Sequence, residues 1–255
     1  MVSSFDDVEP PRHGREGSFV SARQTIVVRT LSDQVFAIVR ERIVTGQLAG
    51  DAPIRQDALA TELGVSKIPL REALGRLEQD GLLQSQPNRG YTVQPMSADQ
   101  ADEIYALRLS IEPAAAARAA LHASDADRGA ATAAFHALDK AAHGNLGEVA
   151  MRNRDFHVAL VRPGDRAITT QLVERLAIQA ERYVVAHLEP AGRDARAHLE
   201  HRDIIDAWLA RDGVTLQALL HRHIEATLLD LRVQFATSRS STAPNHAMGS
   251  HLQGK

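Results

Sequence analysis

In the stretch MRNRDFHVAL, residues 151–160, Asn153 and His157 lie four positions apart, the spacing that stacks two side chains on one face of a helix. Leu146, Val149, Ala150, Phe156 and Leu160 share that face, so an amide and an imidazole project from an apolar stripe. Two further histidines repeat the pattern. Leu216, Leu219, Leu220, Ile224, Thr227, Leu228 and Leu231 mark an inward face that also holds His223, whereas His221, beside Arg222 and Glu225, falls outside. Ala197, Ile204, Ile205 and Trp208 mark another that holds His201, with His198 at its border. Three imidazoles and one amide oxygen from three helices suit a divalent cation such as zinc or nickel, and a bundle interior is a usual place for such a site. The alternative is that each is a core histidine satisfied by a hydrogen bond. A buried imidazole without a partner costs roughly a few kcal/mol, so three inward-facing ones weaken that alternative. Spacing alone leaves open whether the three helices converge.

The elements that must position these groups are helical. From Ala98 to about residue 236 the periodicity is only that of helices, predicted at 98–122, 125–143, 146–161, 165–188, 194–211 and 213–236. Upstream, residues 25–95 read as a separate compact unit. LSDQVFAIVRERIVTG has apolar residues at helical spacing and Gly46 at its stop, and RQDALATELGV is a short second helix ended by Gly64. SKIPLREALGRLEQDG follows at once, with Ser66 as its predicted cap, Pro69 in its first turn and Leu70, Ala73, Leu74 and Leu77 as its buried stripe. LLQSQPNRGYTVQP then reads as two short strands around a turn. Two helices joined by a tight link, the second followed by a β-wing, make a winged helix-turn-helix. Ser66, Lys67 and Arg71 at the start of its second helix can reach phosphates or guanine edges, Arg89 can enter a minor groove from the wing, and Arg55 can contact phosphate. The alternative is a set of ordinary solvated charges, since acidic residues balance the basic ones across this unit. The expected organisation is a disordered arm (1–24), the winged helix (25–95), a linker (96–100), an all-α bundle (101–236) and a disordered tail (237–255).

Composition narrows the classes. With 255 residues the chain can bury two cores, and 4% aromatics with abundant alanine favour helices, so the expected fold is mainly α. A net charge of −3 argues mildly against nucleic acid, although an acidic second domain can mask one basic helix. The absence of cysteine excludes disulfides and thiolate zinc fingers. The acidic start, with Asp6, Asp7 and Glu9, is no secretory leader, and no apolar run approaches a membrane span; a cytoplasmic protein without a membrane partner is expected.

The string LATELGVSKIPLREALGRLEQDGLLQSQPNRGYTV resembles the DNA-binding domain of GntR-family bacterial transcription regulators. The resemblance implies that Arg55, Ser66, Lys67, Arg71, Arg89 and Gly90 face DNA, with Glu72 and Leu74 supporting the helix. Family members usually carry Arg at position 67; Lys keeps the charge and loses the bidentate fork. LRLSIEPAAAARAA, NRDFHVAL, EHRDIIDAWLARD and LLHRHIEATL resemble the FCD effector domain of the FadR subfamily, and six helices point to its VanR-like branch. That resemblance implies a metal held by Asn153, His157, His201 and His223, where many relatives have Asp in place of Asn153. An all-neutral ligand set leaves the cation's charge uncompensated and favours an anionic effector, a small organic acid, with Arg108 as its second anchor. An ion pair between Arg108 and Glu112 is the competing reading. The implied function is a ligand-responsive regulator, a homodimeric repressor of a metabolic or transport operon on a two-fold operator, with QPMSADQ at 94–100 as hinge. A metal-dependent hydrolase is the alternative, disfavoured because the stripes offer no acidic general base. A purely structural metal is a third reading.

Overall fold

The computed structural model describes residues 30–87, 89–142, 144–188 and 192–241. The expected arm at 1–24 and the tail from 242 onward lie outside the described residues. Three helices, α1 (Leu31–Val44), α2 (Gln56–Leu63) and α3 (Lys67–Gln79), precede an antiparallel hairpin of β1 (Leu83–Gln86) and β2 (Gly90–Val93), with Leu83 opposite Val93 and Gln86 opposite Gly90. Six helices follow: α4 (Ala98–His122), α5 (Asp125–Ala141), α6 (Leu146–Val161), α7 (Ala167–Leu188), α8 (Arg193–Leu209) and α9 (Gly213–Ser241), with one 3₁₀ turn at Arg162–Gly164.

Local chemistry sets several boundaries. Thr30 and Asp33 form a reciprocal capping box at α1, and Ser124 and Asp127 do so at α5. Gly64 closes α2 in the left-handed conformation at φ 64°, which permits the tight turn into α3. Two expectations need correction. Ser66 sits at the N-cap of α3, yet its side chain makes no capping bond. The helix α9 continues to Ser241, past residue 236, where a tail was expected.

Each unit has its own core. Val35, Val39, Leu70, Leu74, Leu77 and Leu82 close the winged helix, and Tyr105, Phe156, Leu160, Tyr183, Ile204 and Trp208 close the bundle. The two are joined through α7. Ile178 of α7 packs into the winged-helix core, and Val44 of α1 packs with Ala150, Val184 and Val185. Glu181 of α7 pairs with Arg40 of α1, both buried, and with Arg154 of α6 at 3.4 Å. The expected hinge is tied to the same helix. Arg182 donates to the Gln94 carbonyl, the Ser97 N–H donates to Tyr183 Oη at 3.2 Å, and Tyr183 donates to Gln100 Oε1 at 2.8 Å. Ser97 caps α4, so residues 98–100 of the expected linker are helix.

Candidate metal and effector centre

Asn153 and His157 on α6, His201 on α8 and His223 on α9 are all buried, as their stripes require. The Trp208 indole N–H of α8 donates to the Leu160 carbonyl of α6 at 2.9 Å, which fixes the register of the two helices. Phe156 stands edge-on to both His157 and His201, with ring centroids 5.8 and 5.3 Å away. The imidazoles then meet: His201 and His223 are 4.5 Å apart between centroids, and one ring nitrogen of each of His157, His201 and His223 lies within 4.8 Å of the other two. The helices do converge where spacing left the matter open.

Two carboxylates that sequence reasoning did not assign to the centre set the proton positions. His157 Nδ1 lies 3.0 Å from Glu112 Oε2, and His223 Nδ1 lies 2.7 Å from Glu200 Oε2. Burial alone would raise Glu112, but the Arg108 charge and the bond from His157 hold it at about 2. Burial likewise opposes ionisation of Glu200, and the His223 bond overrides it and lowers its pKa. An ionised carboxylate only accepts, so Nδ1 carries the proton in each pair. His157 Nε2 and His201 Nε2 are buried with no hydrogen-bond partner among the described residues. Burial pushes His157 down to about 4 and His201 well below its ordinary value, so both are neutral near pH 7. His157 combines a carboxylate-bound Nδ1 with an unsatisfied Nε2, His201 adds a second unsatisfied Nε2 and His223 a second carboxylate-oriented ring, so this donor set fits a divalent metal.

The expectation that no acid lies near the histidines is corrected: Glu112, one turn beyond Arg108 on α4, and Glu200, next to His201, both reach them. The i, i+4 spacing of Arg108 and Glu112 was visible, but reading it only as an ion pair hid the second bond to His157. That ion pair is present, buried, with Arg108 Nε to Glu112 Oε1 at 2.5 Å. Arg108 also borders the cavity of about 50 Å³ that the three histidines and Asn153 line. Tyr105, His187 and Thr227 line the same cavity among apolar walls that include Leu138 and Val149. His198, read as borderline, is half-buried and bonds Asp139 at 2.8 Å.

The other predicted set lies on the winged helix. Arg55, Ser66, Lys67, Arg71 and Arg89 are all exposed, and Leu74 is buried in support of α3. Lys67 pairs with Asp57 of α2 at 2.7 Å, an exposed contact worth little against phosphate. Gly90 begins β2 at φ 78°, where a side chain would be strained. Ile68, 71% exposed between Lys67 and the Arg71 turn, was not singled out from sequence; an apolar residue outside the buried stripe was the available signal.

Comparison with known proteins agrees with this two-part architecture. Residues 31–93 match the model for bacterial regulatory proteins of the gntR family, and residues 103–226 match the FCD domain. The uncharacterized HTH-type transcriptional regulator BphR of Paraburkholderia xenovorans is 32% identical over 243 residues, covering 89% of this chain and 96% of that protein. The probable D-xylose utilization operon transcriptional repressor of Paenarthrobacter nicotinovorans is 29% identical over 204 residues, covering 78% of this chain and 88% of its own. The structure of E. coli McbR/YncC superposes with a TM-score of 0.67 at 24% identity, covering 82% of this chain and all of that one. Among the described residues no helix is long and apolar enough to cross a membrane. With a winged helix-turn-helix on an FCD bundle and these relatives, the chain belongs to the GntR family: it is a DNA-binding transcription regulator, not an enzyme.

Proposed function

We propose that this regulator is a repressor whose hold on operator DNA responds to a small organic acid bound at a metal in the FCD bundle. The observation that carries this reading is the cavity in which three buried imidazoles meet, two of them, His157 and His201, with unsatisfied Nε2 atoms. Asn153, His157, His201 and His223 would hold the ion, zinc or nickel, which supplies a Lewis-acid centre that an anionic carboxylate can coordinate. The ligands carry no formal charge. Beyond them, Glu112 is offset by Arg108, and Glu200 faces Arg196 at 3.6 Å, so the protein leaves much of the ion's charge for an anion. Size also selects. A water needs about 10–15 Å³ by this measure, so a 50 Å³ cavity admits only a few atoms besides the metal. Arg108 is the second anchor for the acid.

On the DNA side, Ser66, Lys67, Ile68 and Arg71 present the start of α3 to a major groove, with Ile68 available to a thymine methyl and Arg55 to phosphate. Arg89, on the turn that Gly90 closes, reaches the neighbouring minor groove. The chain acts as a homodimer on a two-fold operator, because half-sites repeat with protein symmetry.

Selection from a random duplex library tests the DNA assignment. Wild type should enrich a two-fold sequence, and the variant combining Lys67→Ala with Arg71→Ala should not; equal enrichment would overturn it. Metal analysis and titration with short acids before and after chelation test the effector site. Acid binding should vanish with the metal. Binding unchanged by chelation would refute the reading, whereas a metal that alters only the melting temperature would identify a structural role.

A further inference from the structure

We infer that Tyr105 is a specificity-determining residue of the bundle cavity, and that its effector is a short carboxylic acid bearing a second oxygen acceptor, such as a hydroxy acid. This rests on the effector reading above. Tyr105 lies on α4, is fully buried and lines the cavity, yet its Oη has no hydrogen bond of good geometry among the described residues. Buried phenol hydroxyls normally find an acceptor for their proton, so one without it on a cavity-lining residue needs a reason. A metal held as proposed would account for the unsatisfied nitrogens of His157 and His201. It does not explain Tyr105.

The surroundings define what is missing. The polar group nearest in kind is Arg108, whose Cζ lies 5.2 Å from the Tyr105 ring centroid. A guanidinium has only donors and cannot take the phenol's proton. Its Nε and Nη2 are committed to Glu112, which leaves Nη1 as its remaining donor edge. Burial raises the Tyr105 hydroxyl to about 12, so it stays a neutral O–H donor. The Arg108 guanidinium can only donate to Tyr105 Oη, so the phenol's own proton has no acceptor among the described residues. A carboxylate on the metal uses one end of the effector; the Tyr105–Arg108 pair calls for an oxygen on the other. A plain aliphatic acid would leave the phenol unsatisfied.

The test uses full-length, zinc-loaded protein and calorimetric titration with matched acids: glycolate against acetate, and lactate against propionate. Wild type should bind the hydroxylated member of each pair about tenfold more tightly. Tyr105→Phe, which removes only the oxygen, should bring that ratio near one while leaving acetate and propionate binding and the melting temperature nearly unchanged. Equal binding of both members by wild type, or a ratio that survives in Tyr105→Phe, overturns the inference while leaving the metal–acid reading intact. Loss of all acid binding on chelation supports that reading in the same experiment. If no acid binds the zinc-loaded wild type, both fall together; if acids bind equally with and without zinc, only the metal reading falls.

Discussion

Glu112 touches two things at once, Arg108 and His157, and the two roles separate in one experiment. In Glu112→Gln the volume is kept and the charge is lost. The amide can donate as well as accept, so it no longer compels His157 to protonate at Nδ1 and to offer Nε2. Loss of such a supporting partner weakens metal binding by about 10–100-fold, or about 1.4–2.7 kcal/mol. Arg108 is simultaneously left as a buried cation without its counter-charge, which lowers stability by about 3–5 kcal/mol. Adding Arg108→Met removes that stranded charge, so the double variant should regain most of the stability and none of the metal affinity. Zinc affinity by chelator competition and unfolding in urea read the two effects independently. A single variant that binds zinc within about threefold of wild type would show that Glu112 neutralises Arg108 and does not orient His157.

Three further outcomes follow from the same geometry. Asn153→Asp should raise zinc affinity by adding a charged ligand and should weaken acid binding by cancelling part of the ion's charge; an unchanged acid affinity in calorimetry would contradict the charge argument. Glu181→Gln strands Arg40 between the two units and should lower stability by about 3–5 kcal/mol in denaturant unfolding, with a wild-type midpoint as the contrary result. Burial holds His187 at about 4, with Asp230 favouring its charge and Arg193, Arg196 and His223 opposing it. Its folded pKa lies below the unfolded value near 6.5, so its contribution is full above that pH and is lost as pH falls toward 4. In chelated protein, His187→Asn should flatten the acid loss of stability by up to about 3 kcal/mol, and an identical pH profile would refute this.

The elements were legible because their signals are local. The stripe Leu70, Ala73, Leu74 and Leu77 fixes the face of α3, and the same logic turned His157, His201 and His223 inward although their helices are far apart in sequence. What stayed hidden depends on three-dimensional coincidence. Glu112 looks like half of an ordinary i, i+4 pair until α4 and α6 bring it to His157. Glu200 sits beside His201 in sequence, yet it serves His223 on another helix. Tyr105 reads as core, and only the partners it lacks distinguish it. Ser66 had the right type and position for a cap, but the geometry of its side chain is not written in the residue type. Polar residues after 236 suggested a tail, whereas helical bonding carries α9 on to Ser241.

The helix α7 packs against both units. Its residues Ile178, Glu181, Arg182 and Tyr183 hold the winged-helix core, Arg40, the Gln94 carbonyl and the Ser97 junction. Val184, directly after Tyr183, and His187 and Leu188, one turn on, line the cavity. On α6, Arg154 touches Glu181 while its neighbour Asn153 lines the same cavity. A helix moves as a rigid rod over such distances, and packed cores have discrete arrangements rather than a continuum. A ligand that favours a slightly different seat for Val184 and His187 therefore acts against the Arg40–Glu181 pair and the Tyr183 clamp together. The effector's difference in affinity for the two seats would set the size of the switch, and these contacts would carry it to the winged helix. Under the proposed effector reading, a chain that keeps the cavity residues but loses Ile178, Glu181 and Tyr183 is expected to bind the acid while its operator affinity no longer responds to it.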